Sequence, residues 1–118
     1  MSISTLQNGK LATARKIMRA LRPAEDVIDN AIVANTDLIS SIVRGRMEMG
    51  VGLDVGHDAA QRAANALAHL FEAREEALRC HQELTVTRDA LGLDGSDVGC
   101  SMDKLTEARR RRRLAAAA

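Results

Sequence analysis

From Val27 to Met49, apolar residues recur at intervals of three and four, which is the spacing that places side chains on one side of an α-helix. This first stripe consists of Val27, Ile28, Ala31, Ile32, Leu38, Ile39, Ile42, Val43 and Met49. A second stripe consists of Ala60, Ala63, Ala64, Leu67, Leu70, Phe71, Ala77, Leu78, Leu84 and Leu91. Phe71 is the only aromatic residue, and β-rich folds depend on aromatic and β-branched residues. The sequence therefore predicts an all-α fold.

Three main helices are predicted, over Lys10–Leu21, Pro23–Met49 and Ala59–Leu91. The first is expected to end at Arg22, because the residue before a proline avoids the α region. A short helix is expected to begin at Ser101 and to lead into a tail that frays, because nothing in the sequence fixes the chain end. The predicted regions are a basic amphipathic segment (1–22), an antiparallel helical hairpin (23–93), and a loop, short helix and Arg-rich tail (94–118).

The glycine-rich stretch between the two long helices, MGVGLDVGHDAAQRAANAL, superficially resembles a phosphate-binding loop. Such a loop should follow a strand and have a different glycine spacing. A predicted helix precedes this one, and Asp54 and Asp58 would repel an anion. The stretch is better interpreted as a corner, in which Gly50 ends one helix in the left-handed conformation. Asp58 and Gln61 then form a capping box that begins the next helix.

Two antiparallel helices cannot fully bury stripes this wide on each other. The hairpin is therefore predicted to complete a four-helix bundle as a homodimer. The predicted self-association interface comprises Ile28, Asn35, Leu38, Ile42, Leu67, Leu70, Phe71, Arg74, Leu78, His81 and Leu84.

Polar residues interrupt the predicted buried faces at helical spacing. Arg74, His81 and Arg88 share one seam with alanine and leucine residues, and Asn35 interrupts the earlier helix. Polar groups at a seam specify register and oligomeric state, and that is the favoured interpretation. The alternative is a ligand pocket inside the bundle.

Charge is strongly segregated along the chain. Residues 1–22 carry +5, residues 23–104 carry −8 and residues 105–118 carry +4, although the net charge is only +1. The basic ends either fold against the acidic body or bind polyanions such as nucleic acid or anionic lipid. The polyanion candidates are Lys10, Arg15, Lys16, Arg19, Arg109, Arg110, Arg111, Arg112 and Arg113.

The sequence gives little support for catalysis, for a metal site or for a cofactor. His57, His69 and His81 lie too far apart along a helix to share one metal ion. Cys80 and His81 are adjacent and would point about 100° apart on a helix, which is poor geometry for a dyad. Cys80 and Cys100 show no disulfide framework, so a reduced cytoplasmic protein is expected. A small helical protein that self-associates and binds a protein partner is the favoured function, and polyanion binding is the alternative.

Overall fold

The computed structural model describes residues 3–95 and 111–117, with side chains from Thr5 onward. Helix α1 spans Ile3–Met49 and helix α2 spans His57–Ala90. Residues 111–117 are also helical. The part of the chain that is described contains no strand, so the all-α prediction is confirmed.

The chain divides into two compact units. The corner unit is residues 23–77, which comprise the second part of α1, the corner and the first part of α2. The terminal unit combines residues 1–22 with residues 78–118. Along α1, the boundary between the units falls immediately before Pro23.

Pro23 lies inside α1, so the predicted helix break at Arg22 is wrong. A proline in a helix interior lacks the N–H that would bond to the carbonyl of Arg19, and its ring crowds that carbonyl, at a cost of about 3 kcal/mol. Arg19 and Pro23 are both exposed, so water can bond to the orphaned carbonyl. The strong helix formers on both sides of the proline favour continuation of the helix.

The end of α1 agrees with the prediction. Gly50 adopts φ +64°, a left-handed conformation that is costly for residues with a Cβ atom. Its N–H donates to the carbonyl of Met47 over 3.2 Å, and the N–H of Val51 donates to the carbonyl of Arg46 over 3.3 Å. These two bonds define a Schellman motif. The Arg46 guanidinium also donates to the Val51 carbonyl over 3.0 Å, which further fixes the chain as it leaves the helix.

The start of α2 differs from the prediction, because the helix begins at His57 rather than Ala59. The carbonyl of Gly56, at φ +77°, accepts the first helical bond from Ala60 over 2.9 Å. Asp58 consequently lies inside the first turn, where a carboxylate interacts favourably with the positive end of the helix dipole. Gln61 donates to Asn65 rather than completing a capping box. The interpretation of the glycine-rich stretch as a helical corner is confirmed.

Helix α2 ends with a second Schellman motif. Gly92 has φ +71°, its N–H donates to Asp89, and the N–H of Leu93 donates to the carbonyl of Arg88 over 3.1 Å. An apolar residue after the glycine commonly packs back against the last helical turn. Leu93 is only 6% exposed, so this cap anchors the chain in the terminal unit.

Several predictions about the C-terminal region lie outside the described residues. One of them is the helix expected to begin at Ser101. The others concern Cys100 and the first two arginines of the run, Arg109 and Arg110. The remaining three arginines belong to the helix over residues 111–117. Alanine and arginine residues favour helix, and the expectation that the end of this tail frays stays a prediction.

The left-handed conformation at Gly50 predicts a clear contrast between two glycine substitutions. Gly50→Ala should lower the free energy of unfolding by about 1 kcal/mol, because an L-residue there is strained. Gly9→Ala should raise it by up to about 1 kcal/mol, because Gly9 is in a helix and an added Cβ meets nothing within 4 Å. Urea unfolding followed by circular dichroism measures both changes. Equal effects of the two substitutions would contradict the role assigned to Gly50.

Candidate interaction surfaces

In the corner unit, α2 meets α1 along one row of residues at alternating intervals of three and four. Ala63 is 8% exposed, and Ala60, Leu67, Leu70 and Ala77 are half-buried. This row is the seam that the helical periodicity predicts. The corresponding row of α1 contains Ile28, Ile32, Asn35, Ile39, Ile42 and Arg46, all half-buried.

Asn35 joins the two helices by a direct hydrogen bond. Its Nδ2 donates to the backbone carbonyl of Ala63 over 2.7 Å. That carbonyl lies inside α2, so the bond links one position of α1 to one position of α2. A contact of this kind fixes the register of two helices, and it agrees with the interpretation of Asn35 as a register-setting residue.

Arg74 lies near the other end of the same unit and is exposed. Its Nε donates to Oδ1 of Asp29 over 2.9 Å, with both side chains more than half exposed. An exposed ion pair contributes only about 0–1 kcal/mol to stability. The pair therefore contributes little to the stability of the helix pair, although it joins one position of α1 to one position of α2.

The other two polar seam residues belong to the terminal unit. His81 is 5% exposed, whereas Arg74, one heptad earlier, lies at the surface. The Arg88 side chain is 11% exposed, and its guanidinium donates to Oδ1 of Asp89 through Nε and Nη2 over 3.0 and 2.8 Å. The three polar residues of the seam therefore lie in three different environments: Arg74 is exposed, His81 is buried, and the largely buried Arg88 side chain is paired with Asp89.

The predicted self-association residues fall into three groups. Ile28, Asn35, Ile42, Leu67, Leu70, Leu78 and Leu84 are half-buried within the chain. His81 is buried. Leu38, Phe71 and Arg74 are exposed. The role of all eleven in self-association stays a prediction.

Large apolar side chains are widely exposed. In the corner unit they are Val27, Val33, Leu38, Val43, Met47, Met49, Leu53, Val55 and Phe71. Among the residues described, only Ala63, Leu93 and His81 are buried. Sequence reasoning identified wide apolar stripes but did not distinguish the covered positions from the uncovered ones, because periodicity does not show which neighbour each residue meets.

The terminal unit contains a groove of about 460 Å³ that the sequence did not reveal. Its lining is mostly aliphatic and threonine, with two basic residues: Thr5, Leu6, Gly9, Lys10, Thr13, Ala14, Ile17, Met18, Leu84, Thr87, Arg88, Leu91 and Leu93. None of these is an acid, a histidine or a cysteine. Such a lining offers mainly hydrophobic contacts, together with two basic side chains, Lys10 and Arg88.

The candidate polyanion residues are exposed wherever the structure describes them. Lys10, Arg15, Lys16 and Arg19 are exposed along the first part of α1. Arg111, Arg112 and Arg113 are exposed at the start of the helix over residues 111–117.

Residues 3–95 and 111–117 hold no group of three or more His, Cys, Asp or Glu side chains that could bind a metal ion. His69 Nδ1 and Glu72 Oε2 lie 3.3 Å apart on an exposed face. The Cys80 thiol is free and exposed. Within the same described ranges, neither long helix has an apolar stretch sufficient to cross a bilayer.

No family model, no curated protein and no solved structure matches this chain.

The Asn35–Ala63 bond predicts that Asn35 contributes to stability while a nearby asparagine does not. Asn35→Ala should lower the free energy of unfolding by about 1 kcal/mol, the usual contribution of such a bond. Asn30→Ala, at an exposed position of the same helix, should have no destabilising effect. Chemical denaturation of both variants measures the difference. Equal stability of the two variants would show that the bond contributes nothing.

Proposed function

We propose that this protein is a helical interaction protein that self-associates as a homodimer and binds a protein partner, without catalysis. The observation that supports the proposal is the contrast between the few buried residues and the many exposed apolar ones. Two helices that bury so little surface are marginal in water, because packing of apolar faces supplies most helical stability in proteins. A second pair of helices would supply the missing surface.

The charged surface supports a partner of complementary charge. The outer side of α2 carries Glu72, Glu76 and Glu83, all exposed. Residues 23–104 hold fifteen acidic and seven basic residues. A basic surface of another protein would be attracted to these acidic helix faces.

Self-association predicts a molar mass of about twice 12.7 kDa for the full chain. Light scattering after gel filtration measures this mass. The melting temperature should also rise with protein concentration, because association stabilises the folded state. A molar mass of 12.7 kDa at every concentration, with the helical content retained, would overturn the proposal.

A second candidate function is nonspecific polyanion binding through the basic ends. The supporting observation is the exposure of Arg111, Arg112 and Arg113 on a helix that is otherwise leucine and alanine. Guanidinium groups bind phosphates strongly, and the affinity falls steeply with salt. A run of arginines that contacts phosphates carries no sequence information directly, so the binding would be nonspecific.

Polyanion binding through these arginines predicts a specific salt dependence. The double variant Arg112→Gln and Arg113→Gln should reduce the slope of log K against log salt for duplex DNA by about 2, since each phosphate contact contributes about 0.9. Fluorescence anisotropy at several salt concentrations measures the slope. The matched control replaces Arg44 and Arg62, two exposed arginines of the acidic region, by glutamine. An equal change of the slope in both double variants would show that the effect depends only on net charge. The tail arginines would then have no specific role in the binding.

A further inference from the structure

We propose that the groove in the terminal unit binds one long-chain fatty acid, with the acyl chain along its aliphatic lining and the carboxylate at Lys10. The groove is lined by the first part of α1, the last turns of α2 and the residues that follow α2. It belongs wholly to the terminal unit. A fatty acid is a different ligand from the protein partner and the polyanion considered above, and its binding does not depend on self-association.

The dimensions of the groove fit one acyl chain. Its lining extends from Thr5 to Met18 on α1, which is about 20 Å, and from Leu84 to Leu91 at the end of α2, which is about 10 Å. A volume of about 460 Å³ spread over these lengths gives a width of about 5 to 7 Å. An acyl chain spans half of the hydrocarbon core of a bilayer, which is about 30 Å thick, so it is about 15 Å long.

The same width disfavours bulkier apolar ligands. A helix of a partner protein measures about 10–12 Å across with its side chains, so it is too wide to enter the groove. A phospholipid has two acyl chains, and the groove has room for one. Planar aromatic ligands gain from stacking on aromatic side chains, and the lining contains none. A single flexible aliphatic chain is therefore the apolar group that fits.

Large apolar side chains are exposed along the groove. Leu6, Ile17 and Leu91 belong to its lining and are 45–50% exposed. An acyl chain laid against them removes apolar surface of both the protein and the ligand from water. This removal is the main driving force for association of apolar groups.

The threonines of the lining do not call for a polar ligand. The Thr13 hydroxyl donates to the carbonyl of Gly9 over 3.1 Å, and the Thr87 hydroxyl donates to the carbonyl of Glu83 over 3.0 Å. A hydroxyl group has one proton to donate, and both protons are used within the helices. These two threonines are therefore compatible with a methylene chain.

The charges of the groove favour a negative head group. Lys10 and Arg88 are its two basic lining residues, and no acidic residue lines it. Arg88 donates through two nitrogens to Asp89, which offsets much of its charge. Lys10 is exposed, and residues 1–22 contain no acid. The compact ammonium group of this lysine is therefore the partner that we assign to the carboxylate.

Calorimetric titration of the full chain with dodecanoate, below its critical micelle concentration, tests the proposal. We expect one bound molecule per chain. Decanoate should bind about fourfold more weakly, which is less than the roughly fifteenfold that complete burial of two methylene groups would give, because the groove is open on one side. Dodecyltrimethylammonium has the same chain with a positive head and should bind about tenfold more weakly. No binding of dodecanoate, or equal binding of the cationic amphiphile, would overturn the proposal.

Filling the groove from Gly9 separates this site from other apolar surfaces. An added Cβ at Gly9 meets nothing within 4 Å, so Gly9→Leu places a side chain in open space beside the lining. It should retain the helical content and weaken dodecanoate binding about tenfold, since the leucine displaces methylene groups of the ligand. Gly45→Leu is the matched control, because Gly45 is the other glycine of α1, has equal space and does not line the groove. Equal affinities of the two variants would show that dodecanoate binds elsewhere.

Reversal of one charge tests the position of the carboxylate. At low ionic strength Lys10→Glu should weaken dodecanoate binding about tenfold, because an attraction is replaced by a repulsion. Lys16→Glu changes the net charge equally at an exposed position of α1 that does not line the groove, and it should leave the affinity unchanged. An equal loss in both variants would indicate a diffuse attraction to the basic segment and would overturn the role of Lys10.

Discussion

A single antiparallel neighbour can cover only one side of a helix, and α1 is apolar on more than one side. Between Asn30 and Val43 the only charged residue is Asp37. Val33 and Leu38 lie on opposite sides of the row that meets α2, and each is at least half exposed. Packing of apolar faces supplies most of the stability of helices in proteins, so these two sides of α1 contribute little while they face water. The stability of the corner unit therefore depends on whether the exposed apolar sides of α1 are covered.

Local features of the fold could be predicted from the sequence. The C-caps at Gly50 and Gly92 follow from short-range chemistry, because only glycine adopts the left-handed conformation without strain. The seam along α2 follows from the repeat of three and four residues. The repeat continues along the helix although the seam residues change from alanine to leucine and then to histidine. Each of these signals depends on residues within one or two turns of one another, so the linear sequence contains them completely.

Features that depend on a balance of energies could not be predicted. The proline at position 23 indicates a helix end, but its cost is a few kcal/mol, and favourable helix propensity on both sides offsets it. Arg74 and His81 occupy equivalent positions of the same repeat, yet one is exposed and the other buried. The difference depends on what α1 presents opposite each of them. The groove in the terminal unit escaped prediction for the same reason, since its lining comes from residues far apart in sequence.

Self-association and partner binding make different demands on the same hairpin, and the distribution of charge allows both. A second copy that covers exposed apolar side chains of α1, such as Val27 and Leu38, can leave the acidic residues of α2 in water. Glu72, Glu76 and Glu83 are all exposed on α2. A dimer would also present this acidic surface twice, which strengthens binding to any partner able to reach both copies. Alanine at three seam positions of α2, namely Ala60, Ala63 and Ala77, permits close approach to α1.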